Sequence, residues 1–340
     1  MITLGIETTC DETSIALVKN GKQVLANVVF SSLLEHKPYG GVVPEIASRA
    51  HLETLLPCLE ASLKKARLSL KHVGLIAVAQ GPGLMGSLLV GLSAAKALAL
   101  ALKKPLIGVD HVIAHLYSAF LSGRQPCLPC LGLVVSGGHT LIIHMKNHDR
   151  IQILGKTLDD AAGEAFDKVA KILGLGYPGG PGVDRLSRGE DTKVFPFTRP
   201  FLKSDSLDFS FSGIKTAVFY KVLELKKKKP LTLKTKKQIC AGFQEAVCEV
   251  LVEKTVRAAK SRNLKTVIVG GGVSANSRLR EKFKEAERKQ KLKVIFPPLE
   301  WCQDNAAMIA GLGTALYRRG KRDSLELSSY PDFHYLMKPQ

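Results

Sequence analysis

Leu131-Gly132-Leu133-Val134-Val135-Ser136-Gly137-Gly138-His139-Thr140 is the stretch that decides how this 340-residue chain folds. Its leucine and valine run reads as a buried strand, and Ser136-Gly137-Gly138 as the bend that ends it. Leu141 to Met145, a turn at Lys146-Asn147 and Ile151 to Leu154 continue the pattern as further strands. The N-terminus has the same plan. Ile2 to Ala26 reads as a strand, a polar bend Glu7-Thr8-Thr9-Cys10-Asp11-Glu12-Thr13, a strand Ser14 to Val18, a turn at Asn20-Gly21, and Val24 onward. A shift of 127 positions pairs Leu4-Gly5 with Leu131-Gly132, Thr13 with Thr140, Ile15 with Ile142, and Lys19-Asn20 with Lys146-Asn147, all without a gap. Such spacing points to an internal duplication and predicts two α/β lobes that grip a ligand between their bends.

Helices on sheets account for the remainder. Leu75 to Ala79 reads as a buried strand, broken by Gly81-Pro82-Gly83 and followed by a helix from Leu84. Leu84 to Leu102 is long and apolar enough to suggest a membrane span, but Lys96 and the many Gly and Ala residues favour a buried helix. In the second half, Lys265 to Val269 is a strand, Gly270-Gly271-Gly272-Val273-Ser274-Ala275-Asn276 a glycine turn, and Ser277 to Lys289 a helix. Strand, glycine turn, helix lets backbone N–H groups reach a phosphate or nucleoside, although such turns are commonplace.

Chemistry concentrates at Val109-Asp110-His111-Val112-Ile113-Ala114-His115-Leu116. Residues four apart on a helix share a face, so His111 and His115 aim at one point and suit a transition metal, given a third ligand. The zinc-protease pattern needs a glutamate where Val112 stands, so that base is absent. The plainer reading is that both histidines cap or pack a helix. Asp304, before the apolar helix Ala306 to Leu316, reads either as its N-cap or as the third ligand. Asp160, Glu164 and Asp167 form an acidic stripe near a helix start, where the helix dipole alone would favour them. Tyr177-Pro178-Gly179-Gly180-Pro181-Gly182 reads as a rigid turn.

With 49 Lys plus Arg against 30 Asp plus Glu, the formal charge is +19. The excess gathers at Lys226 to Lys229, Lys234-Lys236-Lys237, Lys282 to Lys293 and Arg318 to Arg322, which makes a polyanion, nucleic acid first, the expected partner. Aromatics (6%) are not interleaved with these runs, so no base-stacking platform is expected. A hydrophobic content of 45% excludes a disordered chain. Seven cysteines at irregular spacing give no disulfide framework and fit reduced thiols in the cytoplasm; Cys127-Leu128-Pro129-Cys130 reads as two free thiols. No signal peptide is expected, because no basic segment precedes an apolar stretch.

Together these segments resemble the tRNA adenosine threonylcarbamoyltransferases, a family once called O-sialoglycoprotein endopeptidases. The resemblance rests on Gly5 to Thr13, Tyr39 to Glu45, Gly81 to Leu84, His111-x-x-x-His115, Val135 to Thr140, Asp160 to Lys168, Tyr177 to Pro181, Phe209 to Gly213, Gly270 to Asn276 and Asp304 to Met308. It implies the duplicated two-lobed α/β fold of actin, sugar kinases and the Hsp70 ATPase, with a nucleotide cleft between the lobes. It implies one divalent metal, Fe(II) or Zn(II), held by His111, His115 and Asp304, and a substrate loop of Val134, Val135, Ser136, Gly137 and Gly138. Asp167, Gly180, Asp184 and Asn276 would complete the pocket. The implied reaction carries a threonylcarbamoyl group from threonylcarbamoyl-AMP to tRNA. Asp11 and Glu12, in the bend of the first hairpin, are candidates for accepting a proton or arranging the cleft. Implied partners are a paralogue of the same fold and a small ATPase. The lobes are expected at 1–106, completed by a helix over 305–325, and 107–304, the latter carrying metal ligands and substrate loops. Three positions depart from the family pattern: Val134 where archaeal relatives can add a tyrosine ligand, Gln303 where bacterial ones usually have threonine, and the lysine-rich Lys226 to Lys237. The competing readings are a metal-dependent endopeptidase and an ATP-driven switch or kinase of the same superfamily.

Overall fold

The computed structural model describes residues 1–121, 126–202 and 204–332. The chain forms two units, Met1–Gln125 with Gln303–Gln340, and Pro126–Cys302.

In the first unit, β1 (Ile2–Glu7), β2 (Glu12–Lys19) and β3 (Gln23–Ser31) form an antiparallel meander. Strand β4 (Val73–Gly81) pairs parallel with β1, and β5 (Leu106–Asp110) parallel with β4, giving the order β3-β2-β1-β4-β5. The central strands are buried on both faces, which is why they read as unbroken apolar runs. Helix α1 (Leu33–His36) is one turn; α2 (Pro44–Ala66) and α3 (Met85–Leu102) pack on the sheet through Leu55, Leu59, Leu92 and Ala95. Helix α4 (His111–Tyr117) follows β5 directly, and α10 (Ala306–Arg318) lies on β1. Gly5 permits that approach, since a Cβ there would sit 2.2 Å from the Ala306 carbonyl oxygen.

The second unit repeats the plan. Strands β6 (Cys130–Val135), β7 (Thr140–Met145) and β8 (Ile151–Lys156) form the meander. Strand β9 (Thr266–Gly270) pairs parallel with β6, and β10 (Lys293–Ile295) with β9. Read from its far edge the order is β8-β7-β6-β9-β10, element for element that of the first sheet. The 127-residue shift therefore marks a duplicated fold. Helices α5 (Ala162–Leu173), α6 (Gly179–Ser187), α7 (Ser212–Lys228), α8 (Leu233–Ser261) and α9 (Ser277–Gln290) complete it. The core gathers around α8, where Phe243, Val247, Val250 and Leu251 are fully buried.

Three expectations change. The division falls after Gln125 and Cys302, not at residue 106, so the His111 helix belongs to the first unit. The cause is that β5 pairs with β4 and delivers α4 straight from its end. The glycines after Tyr177 open helix α6 and are no isolated turn. Helix α3 buries one face, Ser87, Leu88, Gly91, Leu92, Ala95 and Ala99, while Leu89 and Leu100 stay exposed. By length and composition it could cross a membrane, but that buried stripe packs on β4 and α2.

Candidate metal centre and substrate-binding loops

Helix α4 is seven residues long, and its N-terminus is fixed by Asp110, whose Oδ1 accepts from the Ile113 N–H at 2.8 Å. Tyr330 Oη donates to the other oxygen at 2.9 Å. Burial raises the Asp110 carboxyl to about 6, against the lowering pull of these donors and of His111. So Asp110 does the capping, and the histidines one and five residues on are free for other work.

Asp304 does not cap α10 either: Asn305 does, its side chain accepting from Met308 N at 3.1 Å. That leaves the Asp304 carboxylate 3.2 Å from His115 Nε2 and 3.6 Å from His111 Nε2. Atoms of all three residues lie within 4.8 Å of one another. Ligands about 2.1 Å from one cation stand about 3.0–3.4 Å apart, so the set is close to chelating geometry. His115 is 1% exposed, yet neither of its ring nitrogens makes a hydrogen bond. Buried polar atoms rarely go without a partner, and a cation would supply one. The residues fit a divalent metal: two imidazoles and a carboxylate leave further coordination positions open.

A residue not singled out by spacing orients His111. Glu7 ends the apolar strand β1, is fully buried, and accepts from His111 Nδ1 at 2.9 Å. That bond sets the proton on Nδ1 and leaves Nε2 for a metal. Its other oxygen accepts from Thr9 N at 2.7 Å. Burial disfavours the His111 imidazolium, but Glu7, Asp304 and Asp110 outweigh it, and the pKa rises to about 9. The sequence signal for Glu7 was an acid closing a strand that is otherwise apolar.

The bend between β1 and β2 is held from three sides. Thr8 Oγ1 donates to Ser87 O, Leu84 N to Thr9 O, and Ser32 N to Asp11 O, each at 2.9 Å. His51 Nε2 donates to Cys10 O at 3.0 Å, and burial keeps this imidazole below its ordinary pKa. Asp11 lies in the bend and Glu12 opens β2. Burial, then the charges of Asp304 and Asp11, hold the Glu12 carboxyl well above the usual carboxylate range. Burial and the same acids push the Cys10 thiol up, so it is no thiolate nucleophile. The bend and the histidine helix thus form one electrostatic unit, crowded with carboxylates, in which positive charge is stabilised.

In the second unit, Val134 and Val135 are strand residues with buried side chains, and open backbone begins at Ser136. Ser136 N donates to His139 O at 2.8 Å and Ser136 O accepts from Gly163 N at 3.1 Å. Above Gly137 and Gly138 there is open space. Gly271, at φ +93°, lies against the end of β6, where a Cβ would meet Val135 O at 2.3 Å. Asp167 Oδ1 accepts from Gly179 N at 2.7 Å, beside Gly180. Asp184 Oδ1 accepts from Ser277 Oγ at 2.7 Å, and Asn276 Oδ1 caps α9 by accepting from Leu279 N at 3.0 Å. Hence these residues surround the carboxyl ends of β6 and β9, where open α/β sheets bind ligands. Each polar one among them also has a structural duty. Of the acidic stripe, Asp160 and Glu164 pair with Lys168 at 2.7 and 2.8 Å, and only Asp167 turns to the glycines.

Residues 23–311 match the model of the tRNA N6-adenosine threonylcarbamoyltransferase family. The chain belongs to that family. A tRNA N6-adenosine threonylcarbamoyltransferase of Thermosipho africanus is 51% identical over 332 residues, covering 98% of this chain and 99% of the relative. One from Symbiobacterium thermophilum is 50% identical, covering 96% and 95%. Among solved structures, full-length HypF in its phosphate- and nucleotide-bound form aligns with TM-score 0.60 at 14% identity, over 94% of this chain and 46% of that one. Component A of the (R)-2-hydroxyglutaryl-CoA dehydratase of Acidaminococcus fermentans aligns with TM-score 0.52 at 17% identity, over 93% and 97%. These two speak for the fold alone, the duplicated two-lobed α/β fold of the actin type.

Proposed function

We propose that the chain transfers the threonylcarbamoyl group of threonylcarbamoyl-AMP to the exocyclic amine of the adenosine beside the anticodon, in tRNAs that read codons beginning with A. The observation carrying this reading is 51% identity over 98% of the chain to a threonylcarbamoyltransferase, with the motif residues in place. The amine nitrogen attacks the carbamoyl carbon, the bond from that carbon to the phosphate oxygen breaks, and AMP leaves with the electron pair.

Ser136, Gly137 and Gly138, with Gly180, offer backbone to the nucleotide part, while Asp167 holds Gly179 and Asp184 and Asn276 hold the start of α9 to complete the pocket. His111, His115 and Asp304 hold one divalent cation, Fe(II) or Zn(II). When bound, the cation supplies a Lewis acid. Asp11 and Glu12, in the bend and at the start of β2, are the candidates for taking the proton of the attacking amine or for arranging the cleft. The basic clusters bind tRNA phosphates. Exposed Leu52 and Leu56 on α2, with Leu89 and Leu100 on α3, support docking of a paralogue of the same fold, a small ATPase completing the assembly in the cytoplasm.

The test mixes purified chain, synthesised threonylcarbamoyl-AMP and tRNA, with and without the partners, and measures the nucleosides by mass spectrometry. Threonylcarbamoyladenosine is the expected product. Glycoprotein cleavage abolished by His111→Ala, or ATP turnover independent of tRNA, would favour the competing readings.

A further inference from the structure

Helix α7 brings together what the sequence keeps apart. Phe219, Tyr220 and Leu223 lie on its solvent face, Tyr220 66% exposed, and the two rings meet edge to face at 5.7 Å. Tyr220 and Lys227 are seven residues, about two turns, apart and so share that face. Tyr220, Leu223, Glu224, Lys226 and Lys227 line one open cavity of about 510 Å³. Among the described residues no acid pairs with Lys226, Lys227 or Lys229; Glu224 is engaged by Lys221 at 2.6 Å. From 225 to 244 the chain has Lys226 to Lys229, Lys234, Lys236 and Lys237, and no acidic residue.

Exposed rings beside uncompensated lysines suit one class of partner. A nucleobase has an apolar face to stack on a ring, and the phosphates flanking it meet ammonium groups. A second apolar protein surface would cover the rings but leave the lysines facing uncharged groups, which the charge pattern disfavours.

We infer that the α7 ridge binds an unpaired stretch of the substrate RNA, with a base stacked on Tyr220 and adjoining phosphates on Lys226, Lys227 and Lys229. The inference rests on the reading of tRNA as substrate, and it assigns a place to the lysine run at the end of α7. Losing one base–aromatic stack weakens binding about tenfold.

The experiment measures equilibrium binding by fluorescence anisotropy, for the full chain with its metal, against an unmodified tRNA and a fully paired RNA duplex of matched length. Tyr220→Ala is expected to weaken tRNA binding about tenfold and duplex binding by less than twofold, while Tyr220→Trp restores tRNA binding. Lys226→Glu with Lys227→Glu should weaken both RNAs and flatten the salt dependence of affinity by about two phosphate contacts. Unchanged tRNA affinity in Tyr220→Ala, or equal losses on tRNA and duplex, would overturn the inference. These side chains face solvent, so an unchanged melting temperature checks that each variant is folded. Because binding is read without turnover, a failed transfer reaction would count against the proposed activity and leave this surface to be judged separately.

Discussion

The Oδ1 atom of Asp304 lies 3.2 Å from Nε2 of His115, a buried imidazole with no hydrogen bond at either nitrogen. The pairing joins the residue before the last helix of the first unit to the helix that leaves β5. A buried imidazole without a hydrogen bond, set against a carboxylate, is satisfied when the two share a cation.

Removing either member should therefore remove the metal. Asp304→Asn and His115→Ala, reconstituted with Fe(II) or Zn(II) and then dialysed, are expected to fall from about one metal per chain to background. Elemental analysis by inductively coupled plasma mass spectrometry measures this.

Glu7 fixes His111 from behind through the 2.9 Å bond to Nδ1. Outer carboxylates of this kind typically contribute 10- to 100-fold in metal affinity. Glu7→Gln should weaken zinc binding by about that factor in competition with a chromophoric chelator, with the ligand residues intact.

Without metal, His111 is held protonated up to about pH 9, against an ordinary value of 6.5. Its folded pKa is raised, so its contribution to stability is complete below 6.5 and is lost as pH climbs through 9. A metal must displace that proton. Loading at pH 7.5 should release at least one proton per ion, read from how the calorimetric binding heat varies with buffer ionisation enthalpy.

In the second unit, Asp159 holds the Phe209-Ser210-Phe211-Ser212 segment. Its oxygens accept from Ser210 Oγ at 2.5 Å, Ser212 Oγ at 2.6 Å and Phe211 N at 2.8 Å, and so cap α7 from a distance. Burial would raise its carboxyl, but these bonds win and lower it. Asp159→Ala should cost about 1–2 kcal/mol of stability, measured by urea unfolding. The cost should shrink as pH falls below the ordinary carboxylate range, because a lowered folded pKa stabilises only above it.

The meanders were legible because a strand buried on both faces and a polar bend leave a clear pattern, and the gapless 127-residue shift showed it twice. The histidine pair was legible for the same kind of reason: helical spacing is local. Glu7 was not, because what makes it functional is a contact with His111 across two strands, and pairing of β1 with β4 and β4 with β5 creates that contact. Nor could sequence say whether Asp304 caps its helix, since that depended on whether Asn305 would take the cap, and it does. The domain boundary was misplaced because β5 is short and apolar, and nothing in its composition says which sheet it joins. The lysine run was noticed, but no stacking ring was expected beside it, because Tyr220 and Lys227 look distant in a sequence and are neighbours along a helix face.

The most direct test of the account compares metal-loaded wild type with Asp304→Ala treated identically, each given threonylcarbamoyl-AMP, tRNA and the partner proteins, and weighs the digested nucleosides by mass spectrometry. Threonylcarbamoyladenosine should accumulate with the wild type and fall at least a hundredfold with the variant, while both bind tRNA alike. Equal product from the two would contradict the assignment of His111, His115 and Asp304 as the working centre.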